Sequence, residues 1–298
     1  MNSSLIFSPE TMVFDRPEVI SSPFTLILLF LVGIGTGTVS GILGIGGGLL
    51  IVPFLSLWNI PLVQATATSL VGVLLSAMSG SWRNWAKGEL QWRQAIVLGL
   101  CGLPTAQMGA WVANQMNDRI LAFSFAVFLI AMIFLVEYKK RLGGSPLAPL
   151  GKRGTEPKRF DEDDRTTSIV IVPLTKGDLG GSLPIGLIAG FLSGLFGVGG
   201  GAVMVPLQMV WLGEPIKSAV RTSLGAIVLI AMSGLWRYGI QGNVLWEPGI
   251  TLAIGGAIGA QFGTRLLKKL SSDRVNQLFR ALLIVLAIYM TWRGIRGR

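Results

Sequence analysis

The sequence predicts an all-α, polytopic membrane protein made of two homologous repeats of about four helical elements, each with a glycine-broken helix. The mean hydropathy is +0.63, and only 13% of the residues are charged. No Asp, Glu, Lys or Arg occurs between Val19 and Trp82, whereas a helical span needs only about 20 apolar residues. One glycine-rich motif lies inside an apolar segment at 37–53, and it occurs again at 190–206. These observations predict several spans and an internal duplication.

Apolar segments and charged stretches divide the chain into four regions. The N-terminal segment, 1–23, is acidic where a secretory signal would need a basic start. A first membrane repeat, 24–138, and a second, 181–298, are joined by a charged linker, 139–180. The predicted spans, in order, are 24–58 with a break at Gly46–Gly48, 62–81, 94–116 and 119–138, then 183–212 with a break at Gly199–Gly201, 216–236, 247–267 and 274–292.

The two halves match residue by residue around and beyond the glycine motif. The matched pairs include Ser40 with Ser193, Pro53 with Pro206, Ser69 with Ser223, Trp82 with Trp236, and Gln107 with Gln261. Internal repeats of this kind are common in secondary transporters, where helices interrupted at corresponding places in the two halves point to the binding site.

The glycine break admits two chain paths. If 24–58 is one kinked span, the repeats are parallel; if the chain enters, turns at the glycines and returns, they are inverted. Either path places the basic linker in the cytoplasm, where Lys and Arg concentrate. The excess of basic residues changes half from one pair of matched loops to the next. The loop 83–93 of the first half holds three basic residues, whereas its counterpart in the second half holds only Arg237. The following loop of the first half holds only Arg119, whereas its counterpart, 265–274, holds four. This reversal favours inverted repeats with both termini outside.

The glycine breaks are the first candidate binding site. A break within hydrocarbon frees backbone N–H and C=O groups, which are tolerated only inside protein or beside a polar cavity. A half-helix that begins after each break directs free N–H groups and a partial positive charge at an anion. The residues expected to line this site near the midplane are Ser40, Gly46, Gly47, Gly48, Ser193, Gly199, Gly200 and Gly201. The alternative is that these glycines only allow helices to pack closely.

The doubled Gly-x-x-Ser-Gly-x-x-Gly-x-Gly-Gly-Gly-x-x-x-x-Pro motif resembles that of the TauE/SafE-type sulfite exporter family. The resemblance covers about 24–138 and 183–293, which is nearly all of the predicted membrane part. It implies a multi-pass transporter of the bacterial inner membrane for sulfur-containing anions such as sulfite and organosulfonates. The long charged linker has no counterpart in the motif.

Other polar residues in the predicted spans are secondary candidates for the site. Gln107 and Gln261 are flanked by Gly and Ala in matched spans, where a buried amide needs a partner; each could instead bond a neighbouring helix. Ser69 and Ser223 could donate to an oxyanion or bond back to their own helix. Arg221 could recruit an anion at the cytoplasmic mouth, or it could be a base that snorkels near a span end.

Composition excludes several other classes of function. The chain has no histidine and a single cysteine, so we predict no metal site, no cofactor and no intrachain disulfide. The net charge of +10 is explained by loops at a membrane surface rather than by nucleic acid. A membrane enzyme would need a cluster of titratable residues within its spans, and this sequence has no such cluster.

The predicted partners are a small anion and the bilayer, with a homodimer left open. The prediction is a secondary transporter, an exporter of small sulfur-containing anions; the alternatives are a transporter or channel for another small anion or metabolite, and a non-transporting assembly subunit.

Overall fold

The computed structural model describes residues 23–58, 60–141 and 176–296, and these ranges fold into α-helices without a strand. The helices are α1 Pro23–Leu43, α2 Gly48–Leu57, α3 Leu62–Ala86, α4 Trp92–Gln115, α5 Asp118–Arg141, α6 Lys176–Phe196, α7 Gly201–Trp211, α8 Ile216–Ile240, α9 Trp246–Lys269 and α10 Ser272–Arg296. Seven of them are long and apolar enough to cross a bilayer. The predicted all-helical, multi-span fold is confirmed. The N-terminal segment and most of the linker lie outside the described residues.

Both predicted breaks interrupt a helix where glycine adopts a left-handed backbone. In the first break Gly44, Gly46 and Gly47 have φ of 70°, 84° and 84°. In the second, the residues with positive φ are Gly197, Gly199 and Gly200, at 68°, 77° and 80°. Residues with a Cβ rarely adopt this conformation. The glycines therefore end α1 and α6 and allow α2 and α7 to start in new directions.

Among the described helices, the most extensive contact joins α1 to α9 through small residues. A methyl group added to Gly33 would lie 2.4 Å from the carbonyl oxygen of Leu252, and one added to Gly41 would lie 2.7 Å from that of Ala260. Later residues of α1 therefore face later residues of α9, and the two helices run in the same direction. Rows of small residues such as these let helix backbones approach each other closely within lipid, where van der Waals packing rather than the hydrophobic effect drives helix association.

The direction of α3 shows how the chain passes the first break. Gly249 of α9 faces Val71 of α3, while Arg83 near the end of α3 donates to the carbonyl oxygen of Gln261 at 2.5 Å. Thus α3 runs parallel to α9, and therefore parallel to α1. Because α2 joins two helices that run the same way, the chain doubles back at the glycines. The first break is re-entrant rather than a kink within one span.

The second half repeats these relationships with other helices. Gly186 and Gly194 of α6 face Leu98 and Ala106 of α4, so that α6 runs parallel to α4. At the centre α3 and α8 cross in opposite directions, because Gly80 lies near Leu224 while Gly234 lies near Leu70. The inverted orientation of the two repeats stays a prediction, which these helix directions support.

Replacing Gly37 by alanine tests the α1–α9 interface. A methyl group there would lie 2.1 Å from the carbonyl oxygen of Gly256, so the helices must separate, and we expect a loss of about 1–3 kcal/mol in the free energy of unfolding. Gly35, on the same helix, has no neighbouring atom within 4 Å of such a methyl. Gly35→Ala should therefore be neutral or stabilise by up to about 1 kcal/mol. Tryptophan fluorescence during SDS unfolding measures both, and equal effects would contradict the packing described.

Candidate functional site: two glycine breaks at the centre

The two glycine breaks contact each other at the centre of the molecule. A methyl group on Gly48 would lie 2.0 Å from the carbonyl oxygen of Gly197, and one on Gly201 would lie 2.0 Å from that of Gly44. The start of α2 therefore packs against the end of α6, and the start of α7 packs against the end of α1. The sequence placed Gly48 and Gly201 in one candidate site, and the structure brings the two breaks together through Gly44 and Gly197, which were not among the sequence candidates.

Apolar side chains fill the space between the breaks. Val73 of α3 and Ile227 of α8 are completely buried. Each contacts the position that a methyl group would take on Gly46 and on Gly199, at distances of 2.6–3.2 Å. The expected polar space shared by both breaks is therefore absent at this point, because matched aliphatic residues of the crossing helices occupy it. Polar groups lie instead beside each break.

Ser40 and Ser193 are the polar side chains beside the breaks. Both are only 1% exposed, and neither hydroxyl has a hydrogen-bond partner within the described residues. The half-helices start nearby with Gly47 and Gly200 as N-caps, and no side chain caps either end. The first N–H groups of a helix have no partner in the helix itself. Each break thus pairs uncapped N–H groups with a buried hydroxyl, and this combination suits an anion.

Ser69 and Ser223 join the halves across the centre. The hydroxyl of Ser69 contacts the carbonyl oxygens of Thr66 at 2.7 Å and Gly197 at 2.9 Å. Ser223 contacts those of Val220 and Gly44, both at 2.9 Å. The hydroxyls therefore face their own helix and also the break of the other half. We therefore assign Ser69 and Ser223 a structural role, because each hydroxyl links its own helix to the break of the other half; we call each of these contacts a clamp.

Removing one of these clamps should lower stability modestly. We expect Ser69→Ala and Ser223→Ala each to cost about 0.5–2 kcal/mol, the range for interhelical hydrogen bonds in membranes. Ser124→Ala is the matched control, because its hydroxyl bonds only back to Ile120 and Leu121 of its own helix. SDS unfolding measures the three variants. A loss for Ser124→Ala as large as those of the other two would contradict the clamp.

The two predicted glutamines differ from each other in the structure. Gln261 is half-buried, and its amide donates to the carbonyl oxygen and the hydroxyl of Ser79, both at 2.9 Å. Gln107 is exposed on α4. The expected burial of Gln107 is wrong, because Ala106 and Gly109 take the face that packs on α6 and the next position points outward. Neither glutamine is among the nearest neighbours of the break glycines.

Arg221 belongs to a charged cluster at one end of the helices. Glu89, in the loop after α3, forms salt bridges with Arg221 at 3.5 Å and with Lys268 of α9. The positive charges of Lys268 and then Arg83 lower the pKa of Lys87 in that loop. Glu89 was not among the sequence candidates, although it stands alone among basic residues. The cluster has excess positive charge, which attracts anions.

Sequence reasoning also missed three polar residues that are buried near the breaks or within the half-helices. Ser76 of α3 contacts the carbonyl oxygen of Gly46 at 3.0 Å. Gln208 of α7 is completely buried, and both its amide atoms lack a partner among the described residues. Tyr238 of α8 is completely buried and donates to the carbonyl oxygen of Gly194 at 2.7 Å. The available signal was a polar residue at an inward position of an otherwise apolar span.

The described residues form an all-helical structure with seven potential spans and two broken helices that meet at its centre, which is the architecture of a membrane transporter. The chain belongs to the sulfite exporter TauE/SafE family, whose model matches residues 29–290. It is 28% identical to the probable membrane transporter protein YunE of Bacillus subtilis, over 91% of this chain and 99% of that protein. It is 27% identical to the probable membrane transporter protein MJ0441 of Methanocaldococcus jannaschii, over 89% of this chain and 95% of that protein. No solved structure matches the chain significantly.

Proposed function

We propose that this membrane transporter is a secondary exporter of small sulfur-containing anions such as sulfite or organosulfonates. The observation that carries the proposal is the pairing, at each glycine break, of an uncapped half-helix N-terminus with a buried serine hydroxyl that has no partner in the described part of the chain. The family supports the choice of a sulfur oxyanion. Transport, and not catalysis, is the proposed activity.

Backbone groups suit a substrate that must be released. The partial positive charge at a helix N-terminus is equivalent to about half an elementary charge, so it attracts an anion without holding it as a formal ion pair does. Serine adds one hydroxyl donor to each group of free N–H groups. A small oxyanion accepts several hydrogen bonds at once, which satisfies donors that would otherwise be costly inside the membrane.

We propose inverted repeats with both termini outside and the linker in the cytoplasm of a bacterial inner membrane. The carboxylate of Asp118, at the start of α5, accepts from the backbone N–H of Leu62 at 2.9 Å, so α3 and α5 start on the same side and end on the side where α5 meets the linker. Arg293 donates to the carbonyl oxygen of Ser56, so α10 ends on the opposite side. The cluster around Glu89 lies on the linker side, and its basic residues support a cytoplasmic location.

Arg221 fits the role of recruiting an anion to the cytoplasmic mouth. It lies near the start of α8, on the linker side, and Glu89 neutralises only part of the surrounding positive charge. Exposed charges of this kind change the rate of encounter more than the affinity, and salt screens them. The bound anion itself would lie deeper, beside the breaks.

Two alternatives predict different outcomes. A channel or transporter for another small anion would use the same breaks but select a different substrate. A non-transporting assembly subunit would keep the fold and bind no anion. Purified protein in proteoliposomes, given a panel of sulfite, sulfoacetate, sulfate and acetate at set potential and pH, separates these functions. Saturable movement of sulfite or sulfoacetate supports the proposal. Movement of acetate alone contradicts the substrate class, and movement of none contradicts transport of these anions.

Tags for labelling with membrane-impermeant reagents test the proposed orientation. One tag is placed at each terminus and one in the linker, in cells with an intact inner membrane. We expect both termini to be labelled from outside and the linker only after permeabilisation. A terminus that is protected while the linker is labelled would overturn the proposed orientation and leave the substrate proposal standing.

A further inference from the structure

We propose that the two breaks are not equivalent and that the anion binds beside the first break, where Ser40 and Ser76 lie next to Gly47. The inference rests on the proposed function, and it names which of the two related positions is the binding position. It follows from differences between positions that match in the sequence.

The space beside Gly47 accepts an added heavy atom without overlap. The nearest atoms to a methyl group placed on Gly47 are the Cβ of Ser40, the Oγ of Ser76 and the carbonyl oxygen of Thr36, each at 3.7 Å. These are ordinary van der Waals distances. Two of the three neighbours are oxygen atoms, and the third carries a hydroxyl group that has no partner within the described residues. The surroundings of Gly47 are therefore polar and uncrowded.

The matching space beside Gly200 is closed and less polar. A methyl group there would lie 2.9 Å from the carbonyl oxygen of Ala189 and 3.3 Å from the Cε of Met204. Ser76 has Ile230 as its counterpart in α8, and Ile230 is completely buried. The second break therefore keeps Ser193 but is more crowded and lacks the second hydroxyl.

The first break also has the helix end that an anion needs. The N–H groups of Leu50 and Ile51 bond to the carbonyl oxygen of Gly47 at 3.1 and 3.2 Å, which leaves the N–H groups at the very start of α2 without a partner in that helix. Ser40, whose buried hydroxyl has no partner in the described ranges, lies beside this end, with its Cβ 3.7 Å from the methyl position on Gly47. Its proton is available to the ligand, whereas that of Ser76 is directed at the carbonyl oxygens of Gly46 and Val73. We therefore assign Ser40 the donor role and Ser76 a positioning role at the first break.

The matched pair Ser40→Ala and Ser193→Ala tests this assignment. Both changes remove one hydroxyl that is 1% exposed and has no partner in the described ranges, so their effects on folding should be alike. Removing a hydrogen bond to a charged group lowers affinity by about tenfold or more. We expect Ser40→Ala to raise the Kd for sulfite, measured by calorimetry on purified protein, by about tenfold, and Ser193→Ala to change it less than about twofold.

Ligand-dependent thermal stability provides a second readout. A ligand that binds only the folded state raises the melting temperature, so sulfite should raise it for wild type and Ser193→Ala but much less for Ser40→Ala. Ile230→Ser, which supplies the missing hydroxyl at the second break, should leave the Kd unchanged because Met204 and Ala189 still crowd Gly200. Ser76→Ala should weaken binding less than Ser40→Ala.

Other outcomes overturn the inference in distinguishable ways. If Ser40→Ala and Ser193→Ala weaken sulfite binding equally, the breaks are equivalent, and the proposed function stands while this inference fails. If neither weakens binding by an otherwise active protein, the anion binds elsewhere and the inference also fails. If wild type binds neither sulfite nor sulfoacetate, the proposed substrate class fails and the assignment of its site fails with it.

Discussion

Replacing Gly48 by alanine is expected to destabilise the protein by about 3 kcal/mol, the upper part of the range for overpacking, and to abolish transport. Gly48 is the first residue of α2, so alanine there gains little of the helix propensity that it gains in a helix interior. The loss comes from contact, because the added methyl would lie 2.0 Å from the carbonyl oxygen of Gly197 and 2.8 Å from a methyl of Val73. The carbonyl belongs to the backbone of the other break, so the two breaks must move apart.

Two further variants make the Gly48 result interpretable. Gly201→Ala should have the same effect, because its methyl would lie 2.0 Å from the carbonyl oxygen of Gly44. Gly239→Ala is the control: Gly239 is also helical, and the nearest atom to its methyl is a ring carbon of Trp246 at 4.0 Å. SDS unfolding gives stability and proteoliposome flux gives activity. A Gly48→Ala protein that is as stable and active as Gly239→Ala would show that the breaks do not touch.

Truncating Tyr238 to alanine is expected to cost about 3–5 kcal/mol, as for other large buried aromatic residues. Its ring is completely buried, and its hydroxyl donates to the carbonyl oxygen of Gly194 in α6. Tyr238→Phe should cost only about 1 kcal/mol, because it removes the hydrogen bond and keeps the ring. Thermal unfolding in detergent and SDS titration measure both variants.

Asn84 provides the matched control for Tyr238. It is at the corresponding position of α3, it is 3% exposed, and its amide nitrogen has no partner within the described chain. Asn84→Ala removes a smaller side chain, so we expect less than half of the loss caused by Tyr238→Ala. Equal losses for the two variants would contradict the packing role assigned to the tyrosine ring.

The sequence predicted the broken helices because their signal is local. Consecutive glycines disfavour a helix wherever they occur, and the structure breaks both helices with Gly46, Gly47, Gly199 and Gly200 at positive φ. The span boundaries followed from the same local balance of apolar and charged residues. In the described residues each unbroken predicted span corresponds to one helix and each broken span to two, with ends that differ by up to seven residues.

The direction in which a side chain points was less accessible to sequence. Gln107 and Gln261 have the same local neighbours of Gly and Ala, yet one is exposed and the other bonds Ser79. Ser69 and Ser223 left binding and back-bonding open, and the structure adds contacts with the opposite break. Such differences depend on which helix lies across the interface, and no local pattern encodes that neighbour.

The sequence by itself determined that this chain is a helical membrane protein with two interrupted helices, because hydropathy, charge and glycine content act through each residue's own transfer and backbone energies. Only the tertiary structure decided that the chain doubles back at the first break. It also decided that Val73 and Ile227 fill the centre, and that the surroundings of Gly47 are less crowded than those of Gly200. Those properties arise from contacts between helices, where a difference of less than 1 Å in the nearest contact separates the uncrowded Gly47 from the crowded Gly200.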